Sequence, residues 1–338
     1  MSAGTPVRHL LRDDDLSPVE QAQVLALAAA YKREPYAYRP LAGPRTVAMI
    51  FDKQTLRTQS SFAAGIAELG GHPLLVDGAL AGIGVRESVA DVARVLDRQA
   101  SAVVWRTYEQ SRLEEMAAWS RVPVVNALTD DFHPCQLLAD LQTLAEARGP
   151  LPGMRVAFLG DGACNVAASW LLGGATAGMH VRVAAPDGFL PGEAVLGRAA
   201  EIAGTTGGSV AATTDPAEAL ADADVVVTDT WVSMGREEQA EQRTAVFGAY
   251  ALDAAALAQA GPDAHVLHCL PAYRGKEIAA EVIDGPRSLV WDEAENRRHA
   301  QKAVLAFLLA RSGQLPAEET AAVEDVVAAA GVPDPVGA

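Results

Sequence analysis

Three segments in the first half of the chain combine residue types able to hold a small anion that carries a carbonyl group. In Phe51-Asp52-Lys53-Gln54-Thr55-Leu56-Arg57-Thr58-Gln59 a β-rich run gives way to a helical pattern. Main-chain N–H groups at a helix start, the Thr55 and Thr58 hydroxyls and the Arg57 guanidinium make a phosphate cradle, although a polar helix start serves capping equally well. Arg106, in Val104-Trp105-Arg106-Thr107, stands just past a buried strand. Parallel sheets bind ligands outside the carboxyl ends of their strands, so an arginine there can meet an anion; a solvated arginine is the plain alternative. In His133-Pro134-Cys135-Gln136 an imidazole and an amide lie three residues apart at a helix start. Both can donate to one carbonyl-type group.

The second half carries three more such segments. Leu159-Gly160-Asp161-Gly162-Ala163-Cys164-Asn165 is a strand followed by a G-x-G turn, which raises a dinucleotide-binding oxidoreductase as a rival reading. That fingerprint wants a small residue where Asn165 stands, and an acid where the next strand ends in Ala184-Ala185-Pro186. An asparagine here suits a polar small molecule instead. Asp229, in Asp229-Thr230-Trp231-Val232-Ser233-Met234-Gly235, can bind an amino group, and Cys269, in His268-Cys269-Leu270-Pro271, is either a nucleophile or a small buried hydrophobe. His265 and His268 form a potential metal pair without a third ligand nearby in the sequence, so no metal is expected.

The elements that must position these residues read as short β-rich runs alternating with Ala- and Leu-rich helical stretches, the pattern of α/β units with parallel sheets. Thr46 to Phe51, His72 to Val76, Ala102 to Trp105 and Val122 to Asn126 are the predicted strands of a first sheet. Arg155 to Leu159, His180 to Ala184, Val225 to Thr228 and Val266 to Cys269 are those of a second. Between them Gly149-Pro150-Leu151-Pro152-Gly153 is the strongest breaker cluster, and the domain boundary is placed there. Asp292 to Arg311 reads as one long helix, and Ser312 to Ala338 as a tail with one short amphipathic helix.

At 338 residues the chain is long enough for two domains, and half its residues are apolar, so it folds as a globular protein. Its 43 acidic against 27 basic side chains give a net charge of -16, which repels nucleic acid and anionic membrane surfaces. An anionic substrate therefore needs a local arginine cluster. Cys135, Cys164 and Cys269 are far apart, as free thiols in a reducing compartment are, and a cytoplasmic location is expected. Met1 to Asp15 has no apolar run of signal-peptide length, and no segment is apolar enough to span a bilayer.

Together and in this order, from about Leu10 to Arg311, these segments resemble the aspartate/ornithine carbamoyltransferase family. His133-Pro134-Cys135-Gln136 and Arg106 match its shared carbamoyl phosphate motifs; Asp229 with Ser233-Met234-Gly235, and His268-Cys269-Leu270-Pro271, match the ornithine branch. The resemblance implies two α/β domains, 1–149 for carbamoyl phosphate and 150–290 for the amino acid, with helix 291–311 returning to the first domain and 312–338 as tail. It implies carbamoyl transfer to L-ornithine, giving L-citrulline and phosphate in arginine biosynthesis, in a homotrimer or a multiple of trimers, with no metal or organic cofactor. Thr55, Leu56 through its main chain, Arg57, Thr58 and Arg106 would hold the phosphate. His133, Gln136, Arg106, Arg297 and the Leu270 carbonyl would surround the carbamoyl group. Asn165, Asp229, Ser233 and Met234 would grip the acceptor, with Cys269 beside its reacting nitrogen.

Departures from the family pattern gather at the phosphate end. Where the family reads Ser-Thr-Arg-Thr-Arg, this chain has Thr55-Leu56-Arg57-Thr58-Gln59, and Gly82 stands where the ornithine branch carries a glutamine on a loop given to a neighbouring subunit. Cys164 replaces one of two paired asparagines. A housekeeping enzyme with weaker donor binding, a specialised paralogue using another amine or donor, and a non-catalytic binding protein are the readings these changes leave.

Overall fold

The computed structural model of the chain describes residues 6–232 and 240–331. In chain order the elements are α1 (Pro18–Arg33), β1 (Thr46–Phe51), α2 (Arg57–Glu68), β2 (His72–Asp77), α3 (Gly78–Ala81), α4 (Val89–Leu96), β3 (Ala102–Arg106), α5 (Gln110–Trp119), β4 (Val124–Leu128) and α6 (Pro134–Arg148). These are followed by β5 (Arg155–Leu159), α7 (Asn165–Thr176), β6 (His180–Ala184), α8 (Glu193–Thr206), β7 (Ser209–Thr213), α9 (Pro216–Leu220) and β8 (Val225–Thr228). The remainder are α10 (Ala240–Phe247), α11 (Ala254–Leu257), β9 (His265–Leu267), α12 (Ala280–Ile283), α13 (Val290–Arg311) and α14 (Ala317–Ala329). Two compact units divide the chain, Met1–Gln142 with Glu295–Ala338, and Thr143–Ala294.

The first unit holds a parallel sheet in the order β2-β1-β3-β4. Strand alternation sends Val47, Met49, Ala102 and Val104 into one core, and Ala48, Ile50, Val103 and Trp105 into another on the opposite face. Both faces of β1 and β3 are covered, which is why these two strands read as continuous apolar runs, whereas the edge strand β2 stays partly exposed. The first core is completed by Phe62 and Ile66 of α2, Ala303 to Leu309 of α13, and Val323, Val326 and Val327 of α14. The expected tail thus contributes a helix to the core. Phe51 pairs with Arg106, so the strand ends that carry the phosphate segment and Arg106 lie side by side.

The second unit holds a parallel sheet in the order β7-β6-β5-β8-β9, with the strand order reversing between β5 and β8. At such a reversal the loops leaving the two strands diverge and open a crevice at their carboxyl ends. The Gly160-Asp161-Gly162 turn and Asp229 are the segments that leave these two strands.

Some predicted bounds shift. The strand expected at Val122 to Asn126 runs instead from Val124 to Leu128, and the one expected at Val266 to Cys269 stops at Leu267, leaving Cys269 in the following loop. β7 is absent from the sequence expectation; Ser-Val-Ala-Ala-Thr on a half-exposed edge carries little apolar signal. The units divide inside α6 and α13 rather than at the Gly149 to Gly153 breakers and the expected edge at 290. The last turn of α6 already belongs to the second unit, since Arg148 bonds Asp224 and the Asp263 carbonyl there.

Candidate active site

In the first unit, α2 begins without a side-chain cap: Leu56 occupies the cap position, 76% exposed. The Thr55 hydroxyl accepts from the Thr58 N–H at 3.3 Å. The remaining N–H groups of this helix start are of the kind that receive anions. Thr58 is buried, and its Oγ1 accepts from Arg106 Nη1 at 3.5 Å and Arg297 Nη2 at 3.2 Å. Arg297 Nη1 also donates to Gln136 Oε1 at 2.5 Å, and Gln136 Nε2 donates to Asp140 at 2.7 Å. Residues far apart in sequence thus meet at one hydroxyl. The sequence expectation for Gln136 is a donor to substrate; here its amide ties Arg297 to α6.

His133 is buried beside this cluster, and its pKa is held well below the usual imidazole range, first by burial and then by Arg297, Arg106, Arg57 and Lys53. A neutral imidazole can donate one hydrogen bond without adding to the positive charge. Lys53 pairs with Asp130 and lies 4.4 Å from the Tyr108 ring centre. Arginines packed this closely repel one another, and a dianion would relieve that repulsion.

In the second unit Asp229 follows β8 directly. Its Oδ1 accepts from the Thr230 N–H at 2.7 Å and from Cys269 Sγ at 3.2 Å, and burial raises its carboxyl above the usual carboxylate range. The next residues after β9 are fixed by a buried network. Leu270 N–H donates to His268 Nδ1 at 2.9 Å, His268 Nε2 faces Glu277 at 3.4 Å, and His268 N–H donates to Glu293 at 2.9 Å. This holds Leu270 at φ 59, a left-handed conformation that costs a branched residue about 1–2 kcal/mol. Asn165 opens α7, and Cys164 caps that helix, its Sγ accepting from Ala167 N–H at 3.4 Å. Ser233 and Met234 lie outside the described residues.

Asp229, His268 and Cys269 offer ligand atoms within 4.8 Å of one another, so a third partner for His268 does exist, brought by tertiary structure; His265 is not part of the group. Both nitrogens of His268 already have hydrogen-bond partners, which a metal would have to displace. Sequence reading also missed the buried Asp161–Arg243 pair at 2.6 Å, in which Arg243 further donates to the Trp231 carbonyl at 2.9 Å. Its only sequence signal was an acid inside the G-x-G turn.

The family model for the aspartate/ornithine carbamoyltransferase carbamoyl-P binding domain matches residues 8–146, and that for the Asp/Orn binding domain matches residues 152–308. The chain belongs to the aspartate/ornithine carbamoyltransferase family. It is 64% identical to an ornithine carbamoyltransferase of Clavibacter michiganensis over 90% of this chain and 99% of that protein, and 58% identical to one of Mycobacterium ulcerans over the same shares. Among solved structures, the ornithine carbamoyltransferase of Pyrococcus furiosus aligns with a TM-score of 0.86 at 41% identity, covering 90% of this chain and 98% of that one. That of Gloeobacter violaceus aligns with a TM-score of 0.80 at 45% identity, covering 89% and 98%.

Proposed function

We propose that this protein transfers the carbamoyl group of carbamoyl phosphate to the side-chain amine of L-ornithine, releasing L-citrulline and phosphate. The observation that carries this reading is the convergence of Arg106 and Arg297 on Thr58 beside a neutral His133, an anion site for a donor with a carbonyl group. In this reading the α2 start, with Thr55, the Leu56 main chain, Arg57, Thr58 and Arg106, binds the phosphate. His133, Arg106 and Arg297, the last braced by Gln136, donate to the carbonyl oxygen as it gains negative charge under attack. Asn165, Asp229, Ser233 and Met234 hold the amino acid, and Cys269 and the Leu270 carbonyl stand at the reacting end. The amine must be neutral to attack: nitrogen bonds to the carbonyl carbon, the C–O bond to phosphate breaks, and the amine proton leaves with phosphate or solvent.

Family membership supports a homotrimer, and the widely spaced free cysteines support the cytoplasm; arginine biosynthesis is the pathway this product serves. The test is an assay of phosphate release and citrulline formation with ornithine, lysine, shorter diamino acids, putrescine and aspartate, with particle mass measured by light scattering. Preference for aspartate, or no ureido product from any diamine, would refute it. The changes at Leu56, Gln59 and Gly82 favour one second reading, a paralogue with another amine or donor, which the same panel separates.

A further inference from the structure

We propose that Asp52 positions Arg106: its carboxylate gathers both neighbours of Arg106 on the far face of β3 and so fixes how that arginine is presented. This rests on the donor-site reading given above.

Asp52 is the first residue past β1, and its side chain is 6% exposed. Its N–H donates to the Arg106 carbonyl at 2.9 Å, which carries the β1–β3 ladder one residue beyond the strand. One oxygen, Oδ2, then accepts from Thr107 Oγ1 at 2.6 Å, Trp105 Nε1 at 3.1 Å and Arg112 Nη1 at 3.1 Å. Trp105 and Thr107 flank Arg106. Strand alternation puts the two of them on the face packed against α4 and α5, and Arg106 on the face of α2 and α13, where it meets Thr58.

The strand end needs such a clamp because it is irregular. The register of β3 on β4 slips between Trp105 and Arg106, from Trp105 opposite Asn126 to Arg106 opposite Leu128. The extra residue, Ala127, is on β4, so the end of β3 faces a locally disrupted partner and a weaker ladder. Three donors on one buried carboxylate oxygen, two of them from Trp105 and Thr107 at that end of β3, supply the missing constraint. Arg112 extends it, since its guanidinium also donates to the Ile83 carbonyl at 2.6 Å and lies 5.1 Å from the Trp105 ring centre. At Gly78 an added Cβ would collide with the Asp52 Oδ1, so glycine there is what leaves the carboxylate its place.

The test compares Asp52→Ala, Asp52→Asn and Arg112→Met with the parent in steady-state kinetics, alongside Arg106→Ala. Asp52→Ala is expected to raise the KM for carbamoyl phosphate tenfold or more and to weaken inorganic phosphate binding in calorimetry by a similar factor, leaving the ornithine KM within twofold. Asp52→Asn, which keeps an acceptor for Trp105 and Thr107 but loses the ion pair, should fall between. The double variant Asp52→Ala/Arg106→Ala should be no worse than Arg106→Ala alone, because a positioning residue has nothing left to position. An unchanged donor KM, equal losses toward both substrates, or additivity with Arg106→Ala would overturn the proposal. Should Asp52→Ala fail to fold, Asp52→Asn and Arg112→Met decide: a lowered melting temperature with unchanged donor KM and phosphate affinity marks a purely structural role and overturns it. Full activity in Arg106→Ala refutes the donor-site reading itself, an outcome distinguishable from all of these.

Discussion

Restoring the lost phosphate contacts should tighten the donor, but not equally at each position. Leu56 is 76% exposed at the start of α2, so Leu56→Thr removes no packing and should change stability by less than about 0.5 kcal/mol. Gln59→Arg places a cation in the first turn of that helix, against the macrodipole, at about 0.3–1 kcal/mol. Gly82 has φ +66, and an added Cβ would meet the Arg86 Cβ at 3.1 Å. Gly82→Gln therefore carries roughly 1–2 kcal/mol of backbone strain. One regained hydrogen bond to a phosphate oxygen is worth about 1.5–3 kcal/mol, or about 10- to 150-fold in Kd. Leu56→Thr/Gln59→Arg should then bind carbamoyl phosphate at least about tenfold more tightly in titration calorimetry, with acceptor preference unchanged. Adding Gly82→Gln should return less than its contact is worth, because strain offsets it, and should lower the melting temperature. If the double variant binds the donor no better, or shifts acceptor preference, those side chains do not face the phosphate.

Arg106→Ala should lower kcat/KM by about 10²-fold or more, the cost of a lost oxyanion donor, whereas Cys269→Ser should be milder; a trapped carbamoyl-cysteine would contradict that order. Burial raises the Asp229 carboxyl, so the native state keeps its proton over a pH range where the unfolded chain has lost it, and stability falls as pH rises through that window. Asp229→Asn should therefore abolish turnover yet raise the melting temperature at pH 7. His133 has the opposite linkage. Its lowered pKa means the unfolded chain takes up a proton first, so the contribution to stability is complete above about pH 6.5 and is lost as pH falls; His133→Asn should lose less stability between pH 6.5 and 5 in thermal melts. Burial pushes the Cys135 thiol up to about 12 and Cys164 well above its usual value, so iodoacetamide at pH 8 should leave both unmodified in the native protein and reach all three cysteines after denaturation.

What could be read from the sequence followed from how each signal is encoded. Strands buried on both faces, such as Thr46–Phe51, announce themselves as apolar runs, whereas Ser209–Thr213 on an exposed edge does not. Arg106, Asp229 and Cys269 could be picked out because each stands at or just past the carboxyl end of a strand, where ligands bind. Their partners could not. The meeting of Arg297 with Thr58 spans 239 residues and came only through family resemblance. Asp52 with Arg112, Asp161 with Arg243 and His268 with Glu277 are acid–base pairs whose members look like ordinary surface charges until the sheet brings them together. The predicted domain edge followed the breakers at Gly149 to Gly153, because composition marks where a helix stops and not which unit its last turns bond.

The first unit is discontinuous: its core and its arginine cluster both wait for α13. During synthesis Phe62, Ile66 and Leu69 leave the ribosome long before Ala303 to Leu309 exist to cover them. At 5–20 residues per second, translating residues 143–294 takes about 8–30 s, during which that apolar surface stays open. Apolar surface exposed in this way is prone to aggregate, and a chain truncated within this stretch carries the sheet of the first unit but neither its covering helix nor Arg297. Moving α13 ahead of α1 by circular permutation would close this interval.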